Sequence, residues 1–144
     1  DYYASRGLGD VYKRQIIKVR VMSDNFGDFI KEKRARCNYS LKYVAEIIGI
    51  SNVYQSSIEA GKRPAPSYDV LMKLRDALKL NDDEFGEMLD LAAESKNSRA
   101  VAYDLADYIN QNDFIHKTLR FSLKNKIPES EWVRFFNAMN EKYQ

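Results

Sequence analysis

Residues 40–64 read SLKYVAEIIGISNVYQSSIEAGKRP, and this segment has the pattern of two short helices separated by a tight turn. Apolar side chains recur at helical spacing over 41–48, and Gly49 supplies the left-handed conformation that ends a helix. Ser51 then begins a second helix, over about 52–60. The segment therefore predicts two helices that cross closely around a turn of a few residues.

The sequence on either side of this segment predicts more helices. Pro64 and Pro66 prevent the second helix from continuing. We expect Ser67 to cap the helix that follows, and Asn81 or Asp82 to cap the next one. Apolar periodicity places these other helices at about 26–37, 68–80, 83–95, 100–110, 114–125 and 129–143. The fold class predicted is therefore all-α.

Two spaced strings carry a family resemblance: Ser40-Leu41-x-x-Val44-Ala45-x-x-x-Gly49-Ile50-Ser51 and Ile58-Glu59-x-Gly61-Lys62-Arg63-Pro64. Together they resemble the Xre/Cro-type helix-turn-helix family of transcriptional regulators, which includes the lambdoid phage repressors and Cro. The resemblance covers about residues 26–91. It implies a five-helix lambda-repressor-like helix-turn-helix domain over 22–95. A small C-terminal helical region over 96–144 follows, with the polar stretch 95–99 as the expected boundary.

The resemblance also implies which side chains meet double-stranded DNA. In this family the helix at 52–60 enters the major groove, and it implies that Asn52, Val53 and Ser57 face base edges. The implied edge or phosphate contacts are Ser40, Lys42, Ser51, Tyr54, Ser56, Lys62 and Arg63. Each contact has a structural alternative, because the two capping serines cap helices without DNA and Lys42 can simply be solvated.

Three further positions in the matched segment concern the domain's interior. The family often pairs an arginine at the position of Arg34 with the glutamate of Ile-Glu-x-Gly, and the resemblance implies a structural pair between Arg34 and Glu59. Gln55 departs from the family, which usually has Ile, Val or Leu there. A buried Gln needs hydrogen-bond partners. We therefore expect either a slight rotation of the helix or a neighbouring polar group beside Gln55.

Charge is unevenly distributed along the chain. The total is 23 Lys and Arg against 21 Asp and Glu, a net charge of +2 that predicts no partner. Residues 26–79 carry ten basic and six acidic side chains, whereas 80–95 carry six acidic and no basic ones. The modest excess of basic over acidic side chains in 26–79 suggests few phosphate contacts per subunit. Tight binding would then require a homodimer.

The C-terminal region is rich in aromatic residues, namely Tyr103, Tyr108, Phe114, Phe121, Trp132, Phe135, Phe136 and Tyr143. Their helical spacing predicts a small helical core. The alternative is that part of this surface forms a homodimer or binds another protein, because exposed aromatic patches mark interfaces. Both can hold together.

Composition argues against several other classes of protein. The one cysteine, Cys37, excludes an internal disulfide and a cysteine-based zinc site, and His116 adds no second metal ligand. No phosphate loop, nucleophile elbow or His–Glu metal pattern is present, so we expect no catalysis, cofactor or metal. No apolar run approaches the roughly 18 residues that cross a membrane. We expect a cytoplasmic protein, encoded by a bacterium or a phage.

The first 21 residues do not follow the pattern of the rest. The hexapeptide at 10–15, DVYKRQ, looks like the translation of a transposase-end adapter from sequencing libraries. We therefore expect 1–21 to be a non-native leader and Met22 to be the natural start. The competing interpretation is a basic arm that touches nucleic acid, with Arg6, Lys13, Arg14, Lys18 and Arg20.

Two functional hypotheses follow from the sequence. The first is a sequence-specific DNA-binding transcriptional regulator, of the phage, mobile-element or toxin–antitoxin repressor type. The second is a protein-interaction module that has kept the helix-turn-helix fold without DNA readout. Positions 52, 53, 56 and 57 hold neither acidic nor large apolar residues, and Lys62 and Arg63 follow them. This pattern favours DNA binding.

Overall fold

The computed structural model describes residues 25–96 and 100–144, and every regular element in these ranges is an α-helix. The leader expected at 1–21 lies outside the described residues. The helices are α1 (Phe26–Arg36), α2 (Leu41–Ile48), α3 (Asn52–Glu59), α4 (Tyr68–Ala77), α5 (Asp82–Lys96), α6 (Tyr103–Gln111), α7 (Asp113–Asn125) and α8 (Glu129–Tyr143). The all-α prediction is confirmed.

Side-chain caps begin most helices of the first part of the chain. The hydroxyl oxygens of Ser40 and Ser51 accept bonds from the third backbone N–H of α2 and α3, both at 3.1 Å. Asn81 caps α5 by accepting from the Glu84 N–H at 2.8 Å, and Glu84 accepts in return from the Asn81 N–H. Ser67 precedes α4 as expected but makes no side-chain capping bond, so that part of the prediction is wrong.

Left-handed residues shape the turns between helices. Gly49, with φ of 75°, ends α2, and the Ile50 N–H then donates to the carbonyl of Ala45. Helix α4 ends three residues before the predicted Leu80, because Lys79 adopts a left-handed conformation with φ of 54°. Sequence reasoning missed this ending since lysine is not a residue that signals it.

One apolar cluster unites α1 to α5. Its fully buried members include Phe29, Ile30, Val44, Ile48, Ile58, Leu71, Leu74, Leu78, Met88 and Leu89. They come from all five helices, so each helix contributes one apolar face to a shared interior. This cluster holds α2 and α3 in the arrangement that the candidate site requires.

Helices α1 and α3 approach each other closely at Gly27. A Cβ atom added there would lie 2.5 Å from the carbonyl oxygen of Glu59 and 2.7 Å from that of Ile58. Both atoms belong to the backbone, so they cannot move without shifting α3. Glycine at 27 therefore sets the distance between α1 and the last turn of α3.

The described residues divide into two compact units, and the first extends to Gln111. Helix α6 belongs to this unit: Ala102 is buried, and the Tyr103 ring lies 5.2 Å from that of Tyr68. The functional boundary expected between 95 and 96 stays a prediction. The first compact unit, as judged by packing, continues past this boundary to Gln111.

The described part of the second unit, Asn112–Gln144, contains α7 and α8. Val133 is the one buried apolar residue in this range, whereas Phe114, Phe121 and Leu123 are 62–81% exposed. The small core predicted for the C-terminal region is therefore wrong for these residues. Two helices cannot enclose an interior by themselves, so most of their apolar side chains stay on the surface.

Candidate nucleic-acid interface

Helix α3 presents a polar outward face. Asn52, Val53 and Ser56 are exposed, and Val53 is 77% exposed. Tyr54 and Ser57 are half-buried, while Gln55, Ile58 and Glu59 point into the interior. The three residues expected to face bases thus lie on or beside the outward face, although Ser57 is less accessible than the other two.

Ser57 is engaged by its own helix. Its hydroxyl donates to the carbonyl of Val53 at 2.8 Å, so only the lone pairs of its oxygen remain for an outside partner. Its backbone carbonyl accepts from the N–H groups of Lys62 and Arg63, at 2.9 and 3.3 Å. These bonds fold the basic loop back onto the end of α3.

The basic loop after α3 is exposed at both of its charged side chains, Lys62 and Arg63. The guanidinium of Arg63 lies 5.6 Å from the centre of the Tyr54 ring, within the range of a cation–π contact. The Tyr54 ring in turn packs against the apolar cluster. This places Arg63 beside the outward face of α3, with Tyr54 as its support.

The N-termini of α2 and α3 belong to the same motif as this surface. Ser40 and Ser51 are both exposed, and each satisfies only one N–H group of the turn that it caps. The first N–H groups of a helix have no acceptor within it, and for this reason helix N-termini bind phosphates. Lys42, in the first turn of α2, is exposed and adds positive charge.

Arg34 and Glu59 form a two-pronged ion pair between α1 and α3. The Nε and Nη2 atoms of Arg34 donate to the two carboxylate oxygens of Glu59, both at 2.9 Å. The Glu59 side chain is 3% exposed, and the bonds from Arg34 raise the pKa of the guanidinium above its usual value. The remaining Nη1 atom donates to the carbonyl of Tyr39 at 3.0 Å.

Gln55 shows why a polar residue is tolerated at an apolar position. It is 1% exposed, and its Nε2 atom donates to Oε1 of Glu59 at 2.9 Å. Of the two expectations for this residue, the structure shows the neighbouring polar group. Sequence reasoning missed the Tyr39 carbonyl and the close approach at Gly27. Side-chain patterns carry no signal for a backbone acceptor or for a helix crossing.

Comparison with known proteins identifies this part of the chain. Residues 30–85 match the model of the helix-turn-helix family HTH_3. These residues form a helix-turn-helix domain. The family predicted from residues 40–64 is thereby confirmed, with α2 and α3 as the two helices of the motif.

The relatives of the helix-turn-helix domain are regulators by name. Two uncharacterized HTH-type transcriptional regulators, from two strains of Mycobacterium tuberculosis, are 40% identical over 55 residues. That match covers 38% of this chain and 39% of each relative, so the chain spans about two fifths of their length. A solved SinR protein/SinI protein complex is 23% identical, with a TM-score of 0.43, over 83% of this chain and 99% of that chain.

Neither a metal-binding cluster nor a membrane-spanning helix occurs in the part of the chain that the structure describes. Within 25–96 and 100–144, no group of three or more His, Cys, Asp or Glu side chains is arranged to hold a metal ion. In the same ranges no helix has both the length and the apolar character of a membrane span.

Proposed function

We propose that this chain is a sequence-specific DNA-binding transcriptional regulator that reads the major groove with α3. The observation that carries the proposal is the outward face of α3, where Asn52, Val53 and Ser56 are exposed next to Lys62 and Arg63. This surface combines polar and small apolar side chains, which suit base edges, with adjacent positive charge, which suits phosphates. The proposed activity is binding rather than catalysis.

Within this proposal, base readout has a defined chemistry. Asn52 can make a bidentate contact with adenine, and Val53 can pack on a thymine methyl group. Ser57 acts as an acceptor, because its hydroxyl hydrogen is already donated to Val53. We therefore expect Ser57 to face an exocyclic amino group of adenine or cytosine.

Phosphate contacts position the domain along the duplex. We expect the N-termini of α2 and α3, which Ser40 and Ser51 cap, to bind phosphates of the duplex. Lys42 and the loop residues Lys62 and Arg63 add charge, and Tyr54 and Ser56 lie at its edge. These contacts are independent of sequence and weaken as salt increases.

We further propose that the regulator acts as a homodimer that represses by covering a promoter. Residues 112–144 support this, because Val133 is the one buried apolar side chain among them, and so small a core does not stabilise two helices alone. Trp132, Met139 and Tyr143 are spaced along one face of α8. A second copy, or another protein such as a toxin, would cover such faces. The proposed setting is the cytoplasm of a bacterium or a phage-infected cell.

The experiment that tests DNA readout is selection of duplexes from a random library by the full chain. We expect an enriched palindrome with half-sites about 10 base pairs apart. The double variant Asn52→Ala/Ser57→Ala should lose preference for this duplex while folding normally. Lys62→Ala should instead weaken binding to every sequence and lower the salt dependence.

The outcomes of this selection separate the two functional hypotheses. Equal loss of specific and non-specific binding in the double variant would show that another face reads the bases. An absence of any enriched sequence, with only weak salt-sensitive binding, would favour the protein-interaction module. Capture of a defined partner by the full chain would then be the next measurement.

A further inference from the structure

Gln55 and Glu59 lie one turn apart on the inner side of α3, and both are almost completely buried. Helix α3 therefore directs two long polar side chains into an otherwise apolar interior. A buried amide must be hydrogen-bonded to be stable there. The Nε2 atom of Gln55 donates to Oε1 of Glu59, at 2.9 Å.

The carboxylate of Glu59 receives three N–H donors in this arrangement. Arg34 provides two of them, one to each oxygen, and Gln55 provides the third. Oε1 of Glu59 is shared between Arg34 Nε and Gln55 Nε2, both at 2.9 Å. A buried carboxylate with this set of donors has little freedom to rotate.

Arg34 extends the hydrogen-bond network from α3 to the backbone before α2. Its Nη1 atom donates to the carbonyl of Tyr39, the residue directly before the Ser40 cap of α2. The hydrogen-bonded path therefore runs from Gln55 through Glu59 and Arg34 to Tyr39. It connects the interior side of α3 to the backbone that precedes the N-terminus of α2.

We propose that Gln55 is a positioning residue for DNA recognition, which fixes Glu59 and Arg34 and thereby the placement of α3 relative to the N-terminus of α2. This inference rests on the proposed function, since it assigns Gln55 a part in the same DNA contact. Base contacts from α3 and phosphate contacts at Ser40 must be made simultaneously. A site of this kind needs its supporting residues held to within about half an ångström.

The test compares two buried substitutions on the same helix in the full chain. Gln55→Met keeps the length and apolar stem of the side chain but removes the amide donor. Ile58→Met, the control, alters packing at a buried position without removing a hydrogen bond. Each protein is measured for binding to the selected duplex, for binding to an unrelated duplex, and for resistance to urea.

For Gln55→Met we expect about a tenfold loss of affinity for the selected duplex. Affinity for the unrelated duplex and resistance to urea should stay near those of the unsubstituted chain. Ile58→Met should change the urea midpoint but keep the ratio of the two affinities. A merely structural role for Gln55 would change resistance to urea and leave that ratio alone.

A second variant tests the same path at another point. Arg34→Lys keeps the charge but cannot make the fork to Glu59 and the bond to Tyr39 together, so it too should lower the ratio of specific to non-specific affinity. If both variants bind the selected duplex as the unsubstituted chain does, the positioning role is wrong and the proposed function stands. If the unsubstituted chain selects no duplex, both proposals fail together.

Discussion

At the scale of single residues, the domain depends on contacts that converge on the last turn of α3. The buried carboxylate of Glu59 accepts its bonds there, and its backbone carbonyl lies against Gly27 of α1. Removing one partner of a buried ion pair leaves an uncompensated charge, which costs about 3–5 kcal/mol. This turn is thus held from two directions, by a charge pair and by a glycine that allows close approach.

Gly27→Ala is expected to destabilise the first unit. A new Cβ would lie 2.5 Å from the Glu59 carbonyl oxygen, so α1 and α3 would have to separate. Overpacking of this kind costs about 1–3 kcal/mol, which exceeds the roughly 1 kcal/mol that alanine contributes as a better helix former. Urea unfolding followed by far-ultraviolet circular dichroism measures the change.

Gly86→Ala is the matched control for this substitution. Gly86 also lies within a helix, α5, but a Cβ added to it would meet no atom within 4 Å. This variant should gain about 0.5–1 kcal/mol from helix propensity alone. If Gly27→Ala gained stability to the same extent, the close approach of α1 and α3 would be disproved.

Residue-level prediction from the sequence succeeded where an identity and a spacing carry the signal. The caps Ser40 and Ser51 could be identified in this way, whereas the pair of Arg34 and Glu59 was implied by the family resemblance. The partner of Gln55 could not, because several polar groups would satisfy a buried amide equally well. The acceptor role of Ser57 was also hidden, since it depends on which hydrogen bond the hydroxyl makes within its own helix.

At the scale of helices, α1 and α5 are joined by a second charged cluster around Glu84. Its carboxylate accepts from both terminal nitrogens of Arg36, and Lys33 Nζ lies 3.4 Å away. The bonds from Arg36 lower the pKa of Glu84 to about 2, with smaller contributions from the Asn81 N–H and Lys33. The acidic first turn of α5 is thereby fixed against the basic last turn of α1.

Glu84→Gln is expected to lower stability at neutral pH but not in acid. Because the pKa of Glu84 in the folded state lies below its ordinary value of 4.5, the ionised carboxylate stabilises the fold above that value. This contribution disappears as the pH falls from 4.5 towards about 2. We expect a loss of about 1–2 kcal/mol near neutral pH, reduced from the full shift because Arg36 is partly exposed to solvent.

The control for this prediction is Glu87→Gln on the same helix. Burial raises the pKa of Glu87, so its charge destabilises the fold and neutralising it should cost no stability. The charge explanation is tested by measuring the urea midpoints of both variants and of the unsubstituted chain across the acid range. A loss for Glu84→Gln that stayed constant down to the lowest pH would refute the charge explanation.

Helix positions were largely predictable because apolar period, caps and glycine breakers agree with one another in this chain. The predicted bounds of α2 match the structure, and the predicted end of α3 is within one residue. The end of α4 was not predicted, since Lys79 takes a conformation that its residue type does not signal. The apolar period also identified α7 and α8. Period alone cannot distinguish an apolar helix face that is buried in the fold from one that is exposed.

At the scale of the whole molecule, the two compact units differ in how they bury apolar surface. The first unit encloses an apolar cluster to which five helices contribute, whereas Val133 is the one buried apolar side chain in the described part of the second unit, 112–144. Exposed aromatic side chains in such numbers are typical of a surface that another protein covers. A dimer would also double the number of phosphate contacts, which compensates for the modest charge of each domain.

Replacing Phe114 and Phe121 together by Asp tests this assembly. The two rings are 81% and 62% exposed and lie seven residues apart on one side of α7, so a charge there should prevent a second copy from covering them. We expect the unsubstituted chain to sediment at about twice 16.8 kDa and the double variant at the monomer mass.

Affinity of the double variant for a palindromic duplex should fall by about 10²-fold or more, because the second half-site no longer binds within one complex. His116→Asp places a negative charge at an exposed position on the opposite side of α7 from the two rings, and it should leave both mass and affinity unchanged. A monomeric unsubstituted chain that still binds the full palindrome tightly would refute the dimer.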